Sequence, residues 1–103
     1  MSEKPIEDNF VIFEWDENKE LKNINKHKVS FQEAKTVFND PYSITIYDPQ
    51  HSAMEDRYID IGLSAQGRLL VVVYTERENI FRIITSRIAT EKERQIYEHD
   101  RLR

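Results

Sequence analysis

Alternating apolar and polar positions recur along the chain, and between them lie segments whose apolar residues recur at helical spacing. Phe10 to Trp15 is the first alternating run, with Phe10 and Ile12 opposed to Val11 and Phe13. Ser43 to Tyr47 alternates Ile44 and Ile46 with Thr45 and Tyr47, and in Arg57 to Leu63 the residues Ile59, Ile61 and Leu63 share a face. Arg68 to Thr75 is apolar on both sides, as a strand in the middle of a sheet should be. Ile80 to Arg87 places Ile80, Arg82, Ile84 and Ser86 on one face and Phe81, Ile83, Thr85 and Arg87 on the other. The turns Ser64-Ala65-Gln66-Gly67 and Glu76-Arg77-Glu78-Asn79 are short, so the last three strands predict an antiparallel meander. The loop Asp48 to Ser52 leads into it.

Helical segments fill the gaps. Asp16 is an N-cap for a polar helix from Glu17 to about Lys26, with Leu21 and Ile24 on its buried face. Ser30-Phe31-Gln32-Glu33 has the form of a capping box, in which the Glu33 side chain reaches back to the cap and Val29 and Ala34 supply the apolar staple. The helix it opens buries Phe31, Ala34, Val37 and Phe38 and stops at Asn39-Asp40-Pro41, because proline disfavours a helical residue before it. Thr90 and Glu93 form a second box, opening a helix to about His99 whose apolar residues are Ile96, Tyr97 and Leu102. The order β-α-α-β-β-β-β-α predicts an α+β fold: a twisted antiparallel sheet with helices mainly on one face. The 103 residues fit one domain, residues 1–8 being a frayed polar lead.

Composition narrows the chemistry. There is no cysteine, which excludes disulfides and thiolate metal sites and fits a reducing cytoplasm. Met1 to Asp8 has no apolar core of a signal peptide, and Leu69 to Tyr74 is far too short to span a membrane. The expected location is therefore cytoplasmic, with no membrane partner. The net charge of −4 is unevenly placed: residues 1–56 carry six lysines against twelve acids, and every arginine lies at position 57 or later. Arginine matches phosphate oxygens with a bidentate fork, as lysine cannot.

His27, His51 and His99 lack metal-ligand spacing, Gly62 and Gly67 are the only glycines, and no nucleophile elbow occurs. Arg, Lys, His, Tyr and carboxylates remain. That set suits RNA cleavage without a metal or cofactor, where the RNA supplies its own 2′-hydroxyl and the protein supplies a base, an acid and cations. Arg82 interrupts an otherwise apolar face, a costly place for a cation unless it is paired or the face is open. Arg87 ends the same strand, but alternation points it away from Arg82, so the two converge only if the sheet twists or a bulge intervenes near Ser86. Arg57 begins a neighbouring strand. The competing reading is structural pairing, Arg82 with Glu76 or Asp60 and Arg87 with Glu91. His27 is either a capping histidine at a helix end or a general base. Tyr97 is either core or a hydroxyl in a site. Lys26, Arg68 and Arg77 are further candidates for RNA contact. Trp15 reads as a core anchor and His51 as an exposed loop residue.

Phe13-Glu14-Trp15-Asp16, Lys19, Asn23, Lys26-His27, Val29-Ser30-Phe31, Glu33-Ala34, Val37-Phe38 and Asp40-Pro41, then Arg57, Ile61-Gly62, Leu70 to Val73, Thr75-Glu76-Arg77, Arg82-Ile83-Ile84, Arg87, Ala89, Glu93-Arg94 and Tyr97-Glu98, form an ordered set with matching gaps. That set resembles BrnT-family toxins from about Phe13 to Glu98. The resemblance implies a RelE-like fold and ribosome-independent, cofactor-free RNA cleavage. It also implies a cognate BrnA-type antitoxin with a ribbon-helix-helix domain. Two toxins would sit on an antitoxin dimer that represses its own operon, so that DNA is met only through the antitoxin. Catalysis would fall to Arg57, Arg87 and Tyr97, with His27 and Arg82 beside them. Two departures stand out. Lys28 replaces the family's glycine after Lys-His and must either adopt a left-handed conformation, at roughly 1 kcal/mol, or end the helix another way. Ile84-Thr85-Ser86-Arg87 replaces Ile-Ser-Ala-Arg but keeps the arginine. The alternative to an active toxin is a weak or inactive partner-binding module of the same fold, acting in operon autoregulation. Direct DNA binding by this chain is disfavoured by its charge and its lack of a basic recognition helix.

Overall fold

The computed structural model of the chain describes residues 11–102, so the polar lead and Phe10 lie outside it. The elements are β1 (Ile12–Glu14), α1 (Glu17–His27), α2 (Phe31–Lys35) running into a 3-10 turn (Thr36–Asn39), β2 (Ile44–Tyr47), a 3-10 turn (Pro49–His51), β3 (Asp56–Leu63), β4 (Leu69–Arg77), β5 (Ile80–Ile88) and α3 (Glu91–Arg101). The strands form one sheet in the order β1-β5-β4-β3-β2. Strands β2 to β5 are antiparallel neighbours. The first strand departs from expectation: β1 lies parallel to β5, and the sheet is mixed. No hairpin joins these two strands, so nothing forces them antiparallel.

Residues paired across strands share a face, and the register therefore sorts the sheet into two sides. On one side Leu70, Val72, Tyr74 and Ile83 pack with Val29, Phe31, Ala34 and Val37 into a buried cluster. An aromatic chain crosses all five strands there, Tyr47 to Tyr58 to Tyr74 to Phe81 to Phe13, at centroid spacings of 5.0–5.8 Å, and Phe38 packs edge-on against Tyr74 and Phe81. On the other side Ile61, Leu69 and Val71 pack against Tyr97 of α3. The expectation of helices mainly on one face is corrected accordingly: α3 occupies the side opposite α2.

The buried contact of α1 is polar. Leu21 and Ile24 are exposed, and the buried residue is Asn23. Because β1 pairs only with Ile80 to Arg82, the outer edge of β5 is bare beyond that point. The Asn23 carboxamide fills the gap. Its Nδ2 donates to the Ser86 and Val29 carbonyls, both at 2.8 Å, and its Oδ1 accepts from the Ser86 N–H and the Thr85 hydroxyl. A side chain thus satisfies edge groups that another strand would otherwise pair.

Cap chemistry is realised in part. Asp16 accepts from the Asn18 and Lys19 N–H groups, and Thr90 and Glu93 form a complete capping box. Ser30 accepts from the Glu33 N–H at 3.0 Å, but the Glu33 side chain does not return to the cap. It accepts instead from Arg68 and the Ser64 hydroxyl, and Glu20 takes the Phe31 and Gln32 N–H groups in its place. Lys28 resolves its dilemma by adopting the left-handed conformation, φ 61°, with its N–H donating to the Ile24 carbonyl at 2.9 Å.

Candidate active site

The register of β4 and β5 shifts between Val73 and Tyr74: Tyr74 pairs with Ile83 but Val73 with Thr85, leaving Ile84 as an extra residue. This β-bulge reverses the alternation expected for β5. Arg82 pairs with Thr75 and Arg87 with Val71, both positions on the α3 side of β4, so the two arginines share a face after all. Arg57 also pairs with Thr75, and Glu14 with Arg82. Arg57, Thr75, Arg82 and Glu14 therefore form one continuous row across β3, β4, β5 and β1.

α3 covers only part of this face. Its buried residue, Tyr97, sits over Ile61, Leu69 and Val71, several positions along the strands from the row. Val73 and Thr75 are half-buried, and Arg82 and Ile46 are exposed. Across two strand spacings the Arg57 and Arg82 Cα atoms lie about 10 Å apart, within reach of a single phosphodiester for two long side chains. Arg57 is held half-buried by the loop before it: its N–H donates to Ser52 Oγ at 2.9 Å, and its carbonyl accepts from the Asp48 N–H at 2.8 Å. Its Nε is buried and has no hydrogen-bond partner among the described residues; the nearest carboxylate oxygen, on Asp48, is 4.0 Å away. Arg82 donates to Glu14 at 3.0 Å in an exposed pair. The structural partner of Arg82 is therefore Glu14, not Glu76 or Asp60.

The other candidates fall elsewhere. Arg87 makes a bidentate pair with Glu93 at 2.8 Å for each bond, not with Glu91. That pair, with the cap bond from the Thr90 N–H, holds the Glu93 carboxyl down at about 2. Tyr97 is buried, its hydroxyl donating to Asp40 Oδ2 at 2.7 Å; burial, then Asp40, pushes it up to about 12. The Tyr97 hydroxyl is thus engaged away from the row. Arg68 lies on the α2 side, bonded to Glu33 and to the Lys28 carbonyl. Arg77 ends β4 on the same face as the row, but the depression beside it, about 480 Å³, is lined by Glu55, Asp56, Glu76 and Glu78. Lys26 and His27 lie along α1, beside Ile84 and Thr85. Trp15 is half-buried, edge-on to Phe31, and His51 pairs with Asp48.

Sequence reasoning missed three contributors. Glu14 and Thr75 join the row only through long-range register, and Asn23 reads as a surface helix residue until the bare edge of β5 is known. Glu93 was visible as the third residue of a capping box, although its second duty toward Arg87 was not. Among the described residues no group of three or more His, Asp or Glu could hold a metal ion, and no helix is long and apolar enough to cross a membrane.

The sheet is thus mixed and five-stranded, with α2 on one side, α3 on the other, α1 along the free edge of β5 and arginines on the partly bare face. Residues 15–93 match the family model described as the ribonuclease toxin, BrnT, of type II toxin–antitoxin systems. The chain belongs to the BrnT family. The crystal structure of the Brucella abortus ribonuclease toxin BrnT is similar in fold, with a TM-score of 0.56 and 21% identity over 81% of this chain and 100% of that one. No curated protein matches the sequence.

Proposed function

We propose that the chain is a ribosome-independent endoribonuclease that needs no metal, and that the Arg57–Thr75–Arg82–Glu14 row carries the reaction. One observation supports this above the others: the row brings two guanidiniums, Arg57 and Arg82, to the part of the sheet face away from the Tyr97 contact of α3. The 2′-oxygen attacks the adjacent phosphorus, the P–O5′ bond breaks, and a 2′,3′-cyclic phosphate and a 5′-hydroxyl result. Arg57 and Arg82 stabilise the charge that develops on the phosphorane oxygens. Glu14, the carboxylate of the row, takes the 2′-proton, and the departing 5′-oxygen is protonated from solvent. Arg87 and Tyr97 stand away from the row and fix α3 through Glu93 and Asp40. His27 stands apart from the row and serves in RNA contact.

The test is cleavage of a labelled single-stranded RNA by the purified chain in excess EDTA. Wild type cuts and leaves a cyclic phosphate. Arg57→Ala and Arg82→Ala each lower the rate by about 10²–10³. Absence of cleavage by wild type, or wild-type rates in both variants, overturns the assignment.

Family membership and the ordered motif set support the remainder of the reading: a RelE-like toxin working in the cytoplasm, neutralised by a cognate BrnA-type ribbon-helix-helix antitoxin. Two toxins sit on an antitoxin dimer, and DNA is reached only through that dimer. One observation favours the second reading, a partner-binding module without catalysis. Arg68, Arg82 and Arg87 each bond to a carboxylate of their own, and the net charge is −4. That module would hold antitoxin stably and leave RNA intact.

A further inference from the structure

Beside the bulge, α1 and β5 enclose a shallow groove of about 180 Å³. Lys19, Lys22, Lys26 and His27 line its helix side, and Ile84 and Thr85 its strand side. The three lysines stand at i, i+3 and i+7, one stripe of the helix surface. Asn23, in the same stripe, turns inward to bind the β5 edge and seats the lysines along the seam. All three lysines are exposed, and among the described residues none makes an ion pair. No carboxylate lines the groove, although the chain carries net charge −4. Of the acids at this end of α1, Asp16 is engaged in its cap bonds and Glu20 with Trp15 Nε1 and the Phe31 N–H, while Glu17, two residues from Lys19, does not line the groove.

The groove and the arginine row share β5: Ile84 and Thr85 line the groove two and three residues beyond Arg82, and Thr85 pairs with Val73 on the face that carries the row. The Asp16 carboxyl, held low first by the Lys19 and Asn18 N–H groups it caps, also feels the charges of Lys19 and Arg82. One step beyond Arg57 and Thr75 the paired Asp56 and Glu76 belong to the α2 side of the sheet, the face opposite the row, and with Glu55 and Glu78 they line the depression at that end of β3 and β4. A polyanion held at the row therefore meets lysines and no lining carboxylate where it passes α1.

We infer that the α1–β5 groove binds the backbone of single-stranded RNA on one side of the cleaved phosphate, with Lys19, Lys22 and Lys26 contacting successive phosphates. This rests on the reading of the chain as a ribonuclease and adds to it the path of the strand.

The experiment measures binding of a fluorescent 2′-O-methyl oligonucleotide, which cannot be cleaved, to the full chain across a salt series. Each phosphate contact on a single strand contributes a slope of about −0.7 in log K against log salt. The combined Lys19→Gln, Lys22→Gln, Lys26→Gln variant is expected to bind at least tenfold more weakly at low salt, with a slope shallower by about 2. Lys92→Gln on α3 leaves both unchanged, and single Lys22→Gln gives a fractional loss should the triple variant misfold. Equal affinity and slope in the triple variant, or equal loss from Lys92→Gln, overturns the proposal. So does tighter lysine-dependent binding of poly-glutamate, which would make an acidic protein segment the occupant. Because the oligonucleotide is inert, the result stands apart from cleavage: a chain that binds through these lysines but cuts nothing would sink the enzyme reading alone.

Discussion

The two sides of the sheet are made of the same strands yet solve different problems. On the α2 side the polar groups are consumed. Glu33 is buried and bonded to Arg68 and Ser64, Asp60 is buried beneath the Tyr74 hydroxyl, and an aromatic chain spans every strand. Burial keeps the Asp60 carboxyl above its ordinary range despite the Tyr74 bond, whereas the Arg68 bond keeps Glu33 below its own. On the α3 side the cover is partial: one part of the face is packed by Tyr97, and another carries the half-buried Arg57 and the exposed Arg82. The contrast separates arginines that hold the fold from arginines available to a ligand. Sequence position does not make that distinction, since Arg68 and Arg82 both flank apolar strand residues.

Perturbing each side in turn sharpens this contrast. The largest effect belongs to the row, where Arg57→Ala or Arg82→Ala should abolish most cleavage, and Arg82→Ala should leave the thermal midpoint close to wild type, since Arg82 is exposed in an exposed pair. Arg68→Ala should do the reverse. It strands a buried carboxylate and frees the Lys28 carbonyl, so urea unfolding should show a loss of about 2–3 kcal/mol, with the rate per folded molecule unchanged. A row arginine that costs more stability than Arg68 would erase the distinction.

The Arg87–Glu93 pair should appear as a pH effect. Glu93 titrates near 2 in the folded chain against an ordinary value of 4.5. Its contribution is therefore complete above about 4.5 and disappears as pH falls through about 2. Thermal midpoints of Glu93→Gln should drop less steeply than wild type across that window; parallel curves would show that the pair does not carry acid sensitivity.

Tyr97→Phe asks whether that hydroxyl is anchor or reagent. As an anchor it loses one bond to Asp40, about 1 kcal/mol, and RNA is cut at the wild-type rate. A hundredfold loss of rate would move Tyr97 into the chemistry. Smallest is Lys28→Gly, expected to raise stability by about 1 kcal/mol through relief of the left-handed backbone. A lower midpoint would mean that the Lys28 side-chain bond to the Asn25 carbonyl outweighs the strain.

Local grammar carried much of the fold. Asp16, Ser30 and Thr90 cap helices because their side-chain oxygens lie within a few residues of the N–H groups they accept, and the strand alternations map onto strands for the same short-range reason. What failed was long-range. Leu21 and Ile24 seemed the buried side of α1 because an amphipathic pattern assumes an apolar surface opposite, and α1 faces a bare strand edge instead. Glu33 completes a capping box by spacing alone until Arg68, distant in sequence, competes for it. The facing of Arg87 relative to Arg82 depended on a single extra residue. Ile84 carries no signal of a bulge, so alternation separated Arg82 from Arg87, while the register shift set them on one side.

The sequence by itself determined which segments are helices and which are strands, which helices are capped, and that every arginine would lie in the C-terminal half, because these follow from the chain itself. Tertiary structure alone decided that β1 runs parallel to β5, that Asn23 replaces a strand, and that Arg57 and Arg82 stand in one row while Arg68 does not. Those outcomes depend on pairing and partner choice between residues far apart in the chain, where several arrangements satisfy the same local pattern and packing selects among them.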